Sequence, residues 1–184
     1  NEESIAVSAS DQKYIDRIKT EVVNGTLKIY YDNKGITWKS ENKRLRAYVS
    51  FKTLEKLDAA AGSHVNVNGT INTDKFVLHV SSGAGFAGSI NATELTADVS
   101  SGAGIKITGQ ADKLTVDASS GANFKGYDFT ADYCNASASS GADIQVTSNK
   151  EISAKASGGA DIRYKGTALI RDLKTSGGGA VKKA

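Results

Sequence analysis

The chain has no proline and no methionine, one cysteine, two histidines and one tryptophan among its 184 residues. A single cysteine, Cys134, excludes an internal disulfide framework and a multi-cysteine metal site. Strong charge of one sign is missing too. The net charge is +3 and acids and bases are interspersed, which argues against nucleic acid as a partner. No apolar run approaches the ~20 residues of a membrane helix, so no transmembrane segment is expected. Glycine follows no three-residue period, which with the missing proline excludes collagen. Hydrophobic residues make up 39% of the chain and alternate too regularly for a disordered tail. The chain opens at Asn1 with neither methionine nor signal peptide, and reads as a processed form.

What is abundant is small. Alanine, serine and glycine supply 24, 20 and 19 residues. Residues 1–56 hold two glycines and residues 57–184 hold seventeen. Ser-Ser-Gly-Ala occurs four times, at 81–84, 100–103, 119–122 and 139–142, with degenerate copies at 60–63, 157–160 and 176–179. The anchoring glycines are Gly62, Gly83, Gly102, Gly121, Gly141, Gly159 and Gly178, spaced by 21, 19, 19, 20, 18 and 19 residues. A fixed period near this length marks a solenoid, in which each repeat is one coil stacked on the last.

Alignment on these glycines produces columns with a period of two. Five residues before the glycine stand Leu57, Leu78, Ala97, Val116, Ala136, Ala154 and Leu173. Three after stand Val65, Phe86, Ile105, Phe124, Ile144, Ile162 and Val181. The column four before is polar: Asp58, His79, Asp98, Asp117, Ser137, Lys155 and Lys174. Strict alternation means strands with one face buried and one in water. With no helix between them, such strands predict an all-β, single-domain, right-handed parallel β-helix of about 19-residue coils. Each corner needs positive φ or close backbone approach, which glycine tolerates.

Residues 1–56 read as the opening of the solenoid and 57–184 as its regular coils. Ser4 to Ala9 alternates like a strand. Asp11 to Lys19 can hold a short helix capped by Ser10. Asn24-Gly25 between Glu21–Val23 and Leu27–Tyr30 is a hairpin signal. A charged loop surrounds Trp38, and Leu45 to Phe51 leads into the first coil. This segment would cover the first coil's edge, and Lys182-Lys183 would discourage strand pairing at the other end.

The run Leu45-Arg46-Ala47-Tyr48-Val49-Ser50, then Leu54, Leu57 and Ala61-Gly62-Ser63, followed by the serial Ser-Ser-Gly-Ala corners, resembles the head GIN domain family. These are bacterial proteins labelled "putative autotransporter adhesin". The resemblance covers essentially the whole chain. It implies a parallel β-helix and an extracellular, periplasmic or outer-membrane location. Members carry a secretion or lipoprotein signal, and by that comparison this chain starts one strand late. The family supplies no catalytic residues.

Candidate sites compete with plainer readings. Gly83-Ala84-Gly85-Phe86-Ala87-Gly88 fits GxGxxG, but a dinucleotide site needs a helix next and an acid ~20 residues on, and another coil follows instead. His64 and His79 fall in different outward columns, without the carboxylate cluster that zinc or base chemistry would use. Asp143 and Asp161 stack two after the glycine with Asn123 below. Such a pair can bind calcium, but its ligand number is low, and Arg163 and Lys125 can reach the aspartates as an ion-pair ladder. Asp98 and Asp117 form a similar pair. Cys134 shares an inner column with Leu114 and Ile152 and reads as a packed thiol. Ser82, Ser101, Ser120 and Ser140 read as inner serines bonded at the corners, with no histidine column to activate them. Thr96 and Thr115 align, but Val77, Asn135 and Ser153 interrupt the ranks an ice-binding face would want.

No metal, cofactor or catalytic set emerges. The candidate ligand surface is aromatic: Trp38 in its basic loop, and Tyr127 and Tyr133 around an interior Phe129. The reading is a non-enzymatic extracellular or cell-surface module, a binder of a surface glycan or protein or else a spacer. The alternative is a carbohydrate-active β-helix enzyme, which would need two carboxylates ~5–9.5 Å apart in a cleft. Coils this short leave little material for the loops that build one.

Overall fold

Alternation of small or apolar residues with polar ones becomes strand along most of the described residues. The computed structural model describes residues 2–35 and 43–184. They fall into two compact units, Asn1–Lys52 and Thr53–Ala184.

In the first unit β1 (Ser4–Ser8) is followed by α1 (Gln12–Ile15), one turn long. Its cap is Asp11, not Ser10: the Asp11 carboxylate accepts the Lys13 N–H at 3.0 Å. A carboxylate there also suits the positive end of the helix dipole. The helix ends early because β2 (Ile18–Val23) starts at once, pairing antiparallel with β3 (Thr26–Tyr31). Asn24 and Gly25, at φ 50° and 74°, make the turn with both central residues left-handed, as two-residue hairpins prefer. Register places Val22 opposite Leu27 and Thr20 opposite Ile29 on one face of this ribbon, and Val22 is 71% exposed. The strand β4 (Arg46–Ser50) pairs antiparallel with β1 rather than lying in a coil.

The second unit is the solenoid. Its strands are β5 (Lys56–Ala59), β6 (His64–Val80), β7 (Gly85–Val99), β8 (Gly104–Ala118), β9 (Asn123–Ala138), β10 (Asp143–Ser157), β11 (Asp161–Lys165), β12 (Leu169–Ser176) and β13 (Ala180–Lys183). Each of β6 to β10 wraps most of one coil and pairs parallel with the coils before and after it. Leu57, Leu78, Ala97, Val116, Ala136, Ala154 and Leu173 are successive ladder partners, the column expected from the sequence. Phe76, Leu95, Leu114, Cys134 and Ile152 form another, each no more than 2% exposed. Burying each large member contributes about 1.5–3 kcal/mol. Lys182 and Lys183 are not a free polar tail; they lie in β13, opposite Arg163 and Tyr164.

At each corner the first serine's carbonyl accepts the alanine N–H, as from Ala84 to Ser81 at 3.1 Å. Both residues between are left-handed: Ser82 at φ 54° and Gly83 at 70°. The second serine is therefore a turn residue, not an inner one. Ser82, Ser101, Ser120 and Ser140 are exposed, and their hydroxyls make no hydrogen bond among the described residues. What binds the corners is backbone. Gly62 N–H donates to Ser82 O, and Gly83 N–H to Ser101 O, both at 3.0 Å, and the pattern continues to Gly159 and Gly177. A methyl group on Gly83 would meet nothing within 4 Å, so φ alone demands glycine there. Gly109 differs. At φ +112° its added Cβ would lie 2.1 Å from the Ile90 carbonyl oxygen. This is a second bend in the coil, and the fully buried Phe129 is its ladder partner on the next one.

Candidate functional site

The corner turn separates two outward sheet faces. On the face after the turn, the column two past the glycine runs His64, Gly85, Gly104, Asn123, Asp143, Asp161, and the next outward column runs Asn66, Ala87, Lys106, Lys125, Gln145, Arg163. Glycine at both 85 and 104 removes two side chains from a ladder that otherwise carries them. The result is a shallow hollow of about 240 Å³, with His64 and Asn123 at its ends and Lys106 and Lys125 along one side. His64 lies over the glycine floor: a Cβ on Gly85 would come within 2.9 Å of its Cδ2. Its Nδ1 is 3.1 Å from the Gly62 carbonyl. Lys106 and Lys125 are direct ladder partners, and neither has an ion-pair partner among the described residues. Like charges placed directly opposite repel, so the hollow is set to receive negative charge.

Two coils on, the same face closes on itself. Asp143 and Asp161 are ladder partners, and the Arg163 guanidinium reaches both, at 3.1 Å and 2.5 Å. The sequence allowed calcium or an ion-pair ladder at these carboxylates, and the arginine occupies the position a cation would take. Lys125, the other cation expected to reach them, does not.

The aromatic candidates are kept apart. Tyr127 projects where β9 bulges: Gly126 pairs with Val146 and Thr130 with Thr147, so residues 127–129 lack ladder partners on β10, and the Thr147 hydroxyl donates to the Tyr127 carbonyl at 2.8 Å. This bulge is where the 20-residue coil stores its extra length. The Lys165 ammonium sits 4.2 Å from the Tyr127 ring centroid, covering one face of the ring. Partial burial and nearby aspartates push the Tyr127 phenol up, while Arg163 opposes the shift. Tyr133 lies on the other outward face and is 42% exposed. The Lys150 ammonium is 5.7 Å from its ring and also pairs with Asp132 at 2.7 Å. Trp38 lies outside the described residues.

On that face, before the turn, Asp98 and Asp117 are ladder partners as expected. Sequence reasoning gave the histidines no carboxylate cluster, and His79 meets a single carboxylate: its Nδ1 is 2.7 Å from Asp98 Oδ2. The signal was available, since the two share a column one coil apart. Glu94 bridges Lys75 at 3.3 Å and Lys113 at 3.2 Å, and these ammonium groups hold its carboxyl below the usual range. A shallow groove of about 420 Å³ runs past Asp98, Asp117, Ser137 and Lys155. A rank of serines edges it, including Ser119, Ser139 and Ser157. Cys134 is 2% exposed, and burial pushes its thiol up to about 12, so it stays a neutral packing group. The GxGxxG segment runs from the corner into β7, a strand where a dinucleotide site requires a helix. Among the described residues no three His, Cys, Asp or Glu side chains converge on a metal position.

Comparison with known proteins agrees with this architecture. None of the curated proteins matches the chain. Among solved structures, a putative adhesin from Bacteroides fragilis NCTC 9343 superposes with a TM-score of 0.92 at 18% identity, over 100% of this chain and 83% of that one. A putative adhesin from Parabacteroides distasonis ATCC 8503 gives 0.77 at 17% identity, over 98% and 83%. A putative lipid binding protein from the same organism gives 0.70 at 19% identity, over 98% and 83%. Likeness at this identity establishes the fold. The family model described as "Putative auto-transporter adhesin, head GIN domain" matches residues 1–168. The chain therefore belongs to the head GIN domain family of putative auto-transporter adhesins.

Proposed function

We propose that the chain is a non-enzymatic binding module of the bacterial cell surface, and that the face after the corner turn receives the ligand. The observation that carries this reading is the hollow over Gly85 and Gly104, with Lys106 and Lys125 beside it and unpaired. The family's adhesin description supports a binding role. A flat, rigid face with two cations one rung apart, about 4.8 Å, suits an extended ligand carrying carboxylate or sulfate groups, such as an acidic surface glycan. Tyr127, two residues beyond Lys125, offers an aromatic edge to the same ligand. The carbohydrate-active alternative needs a free pair of carboxylates, and here Asp143 and Asp161 share a guanidinium while Asp98 is bonded to His79.

The test is a screen of neutral and acidic glycans and of cell-surface proteins, run with the native chain and with Lys106→Glu/Lys125→Glu. Acidic ligands should be bound and the double variant should lose affinity by about tenfold or more. Binding that the double variant leaves intact would move the site elsewhere. Silence in both screens would favour a spacer. Hydrolysis of a polysaccharide would favour the enzyme.

A further inference from the structure

On the face before the turn, the column four residues ahead of each corner glycine has an order of charge that reverses about its middle. From the third coil to the seventh it reads Asp98, Asp117, Ser137, Lys155, Lys174, each the ladder partner of the next. One step from Ser137 on either side stand an acid and a base, and two steps away an acid and a base again. The parallel column eight ahead carries opposite charges one step either side of Tyr133, Lys113 and Glu151, while two steps away stand Glu94 and Leu169. Ser137 and Tyr133 belong to the same strand, β9. Between and beside these columns the outward residues are short and hydroxylic: Thr115, Ser153, Ser119 and Ser157. The long side chains at the edge of this face are Lys150, held near the Tyr133 ring and on Asp132, and Arg171, held on Glu151.

We infer that this face pairs with the same face of a second copy, about a two-fold axis running along β9 in the plane of contact. Rotation about that axis reverses the order of coils and leaves each column facing itself. Asp117 then meets the partner copy's lysine at position 155, Asp98 meets 174, and Lys113 meets 151, each contact occurring twice. Tyr133 and Ser137 meet their own counterparts on the axis. A two-fold interface must be self-complementary, and this pattern is. An axis along the solenoid between the two columns makes them face each other instead, which brings Asp117 to the partner copy's lysine at position 113 but sets Asp98 against the glutamate at position 94; that arrangement predicts no rescue when Asp117→Lys and Lys155→Asp chains are mixed. Asp117 and Lys155, the charges nearest the axis, have no ion-pair partner among the described residues. Asp98, Lys174, Lys113 and Glu151 already hold His79, Asp172, Glu94 and Arg171, at 2.7 Å, 2.9 Å, 3.2 Å and 2.8 Å, and add less. Five coils by six residues of strand give a footprint of roughly 500 Å² per copy. That is below the ~800 Å² of a standard interface, so the dimer is weak and forms at micromolar to millimolar concentration.

The test is sedimentation of the 184-residue chain over a concentration series up to about 1 mM, without added ligand. The native chain should pass from monomer to dimer, and raised salt should weaken the association. Asp117→Lys alone and Lys155→Asp alone should each weaken self-association by about tenfold or more. Mixed in equal amounts, the two variants should associate with each other as well as the native chain does with itself, because each supplies the charge the other lacks. The double variant, with the charges exchanged, should again form dimers. Both substitutions sit beside an oppositely charged ladder neighbour, Asp98 or Lys174, so circular dichroism should report an unchanged fold. A native chain that stays monomeric throughout overturns the proposal. So does a mixture that associates no better than either variant alone.

Discussion

Ser101 is held at φ 55°, a backbone conformation that costs a residue with a Cβ about 1–2 kcal/mol. Its hydroxyl bonds nothing among the described residues, so the side chain does not offset that cost. Glycine takes the same position in the last two corners, at Gly158 and Gly177, with φ 59° and 54°. Replacing Ser101 by glycine relieves the strain and adds back about 0.5–1 kcal/mol of chain entropy lost on folding. The expected net gain is about 0.5–1 kcal/mol for Ser101→Gly, read from denaturant midpoints at constant slope. Changing Ser82, Ser120 and Ser140 as well should add similar increments, since the corners are separate backbone turns. A Ser101→Gly chain no more stable than the native one would mean the serine does something at the corner beyond filling it.

Within the strands, tolerance depends on which bend is touched. Gly109→Ala drives a methyl group to within 2.1 Å of a backbone carbonyl, and the ladder between β7 and β8 cannot yield without breaking. Ala122→Phe instead overfills the narrow inner corner, where Ala122 is fully buried between Ala103 and Ala142. The first should cost at least about 3 kcal/mol and the second ~1–3 kcal/mol or more, both checked by thermal melts. Equal, small effects would mean the coil is softer than its ladders imply. The inner columns, the seven corners and Phe129 were legible in the sequence because a period-two pattern inside a fixed repeat leaves one register. Other features were hidden for identifiable reasons. The bend at Gly109 recurs as glycine only at Gly69 and Gly166, too irregularly to show as a column. The left-handed second serine escaped notice because serine is not a residue that usually announces positive φ. The pairing of β4 with β1 is long-range and antiparallel, so no repeat reports it. The hollow over Gly85 and Gly104 depends on what two outward positions lack, and attention to aromatic side chains passed over it.

For the molecule as a whole, a solenoid is stabilised by neighbour on neighbour, so its ends and middle differ. Ile105, Phe124 and Ile144 are sealed between coils, while Leu169, Ile170 and Leu173 on β12 are 75%, 54% and 38% exposed. Amide hydrogen exchange should therefore run in order along the stack. Amides of β12 and β13 should exchange first and those of β8 and β9 last, with the slowest reporting global unfolding. Uniform protection from β6 to β13 would contradict this and require a cooperative unit longer than neighbour contacts provide. The corner hydrogen bonds carry a further consequence along the same axis. In each corner the carbonyl of one residue and the N–H of the glycine after it belong to a single amide group. These groups bond in series from Gly62 to Gly177, every one pointing the same way. They form a single file of aligned dipoles in which each polarises the next, running lengthwise beside the strands rather than within them. Its positive end lies at Gly178, whose N–H has no acceptor among the described residues. An edge of the solenoid thus carries a macrodipole of its own, opposite in chain direction to that of an α-helix.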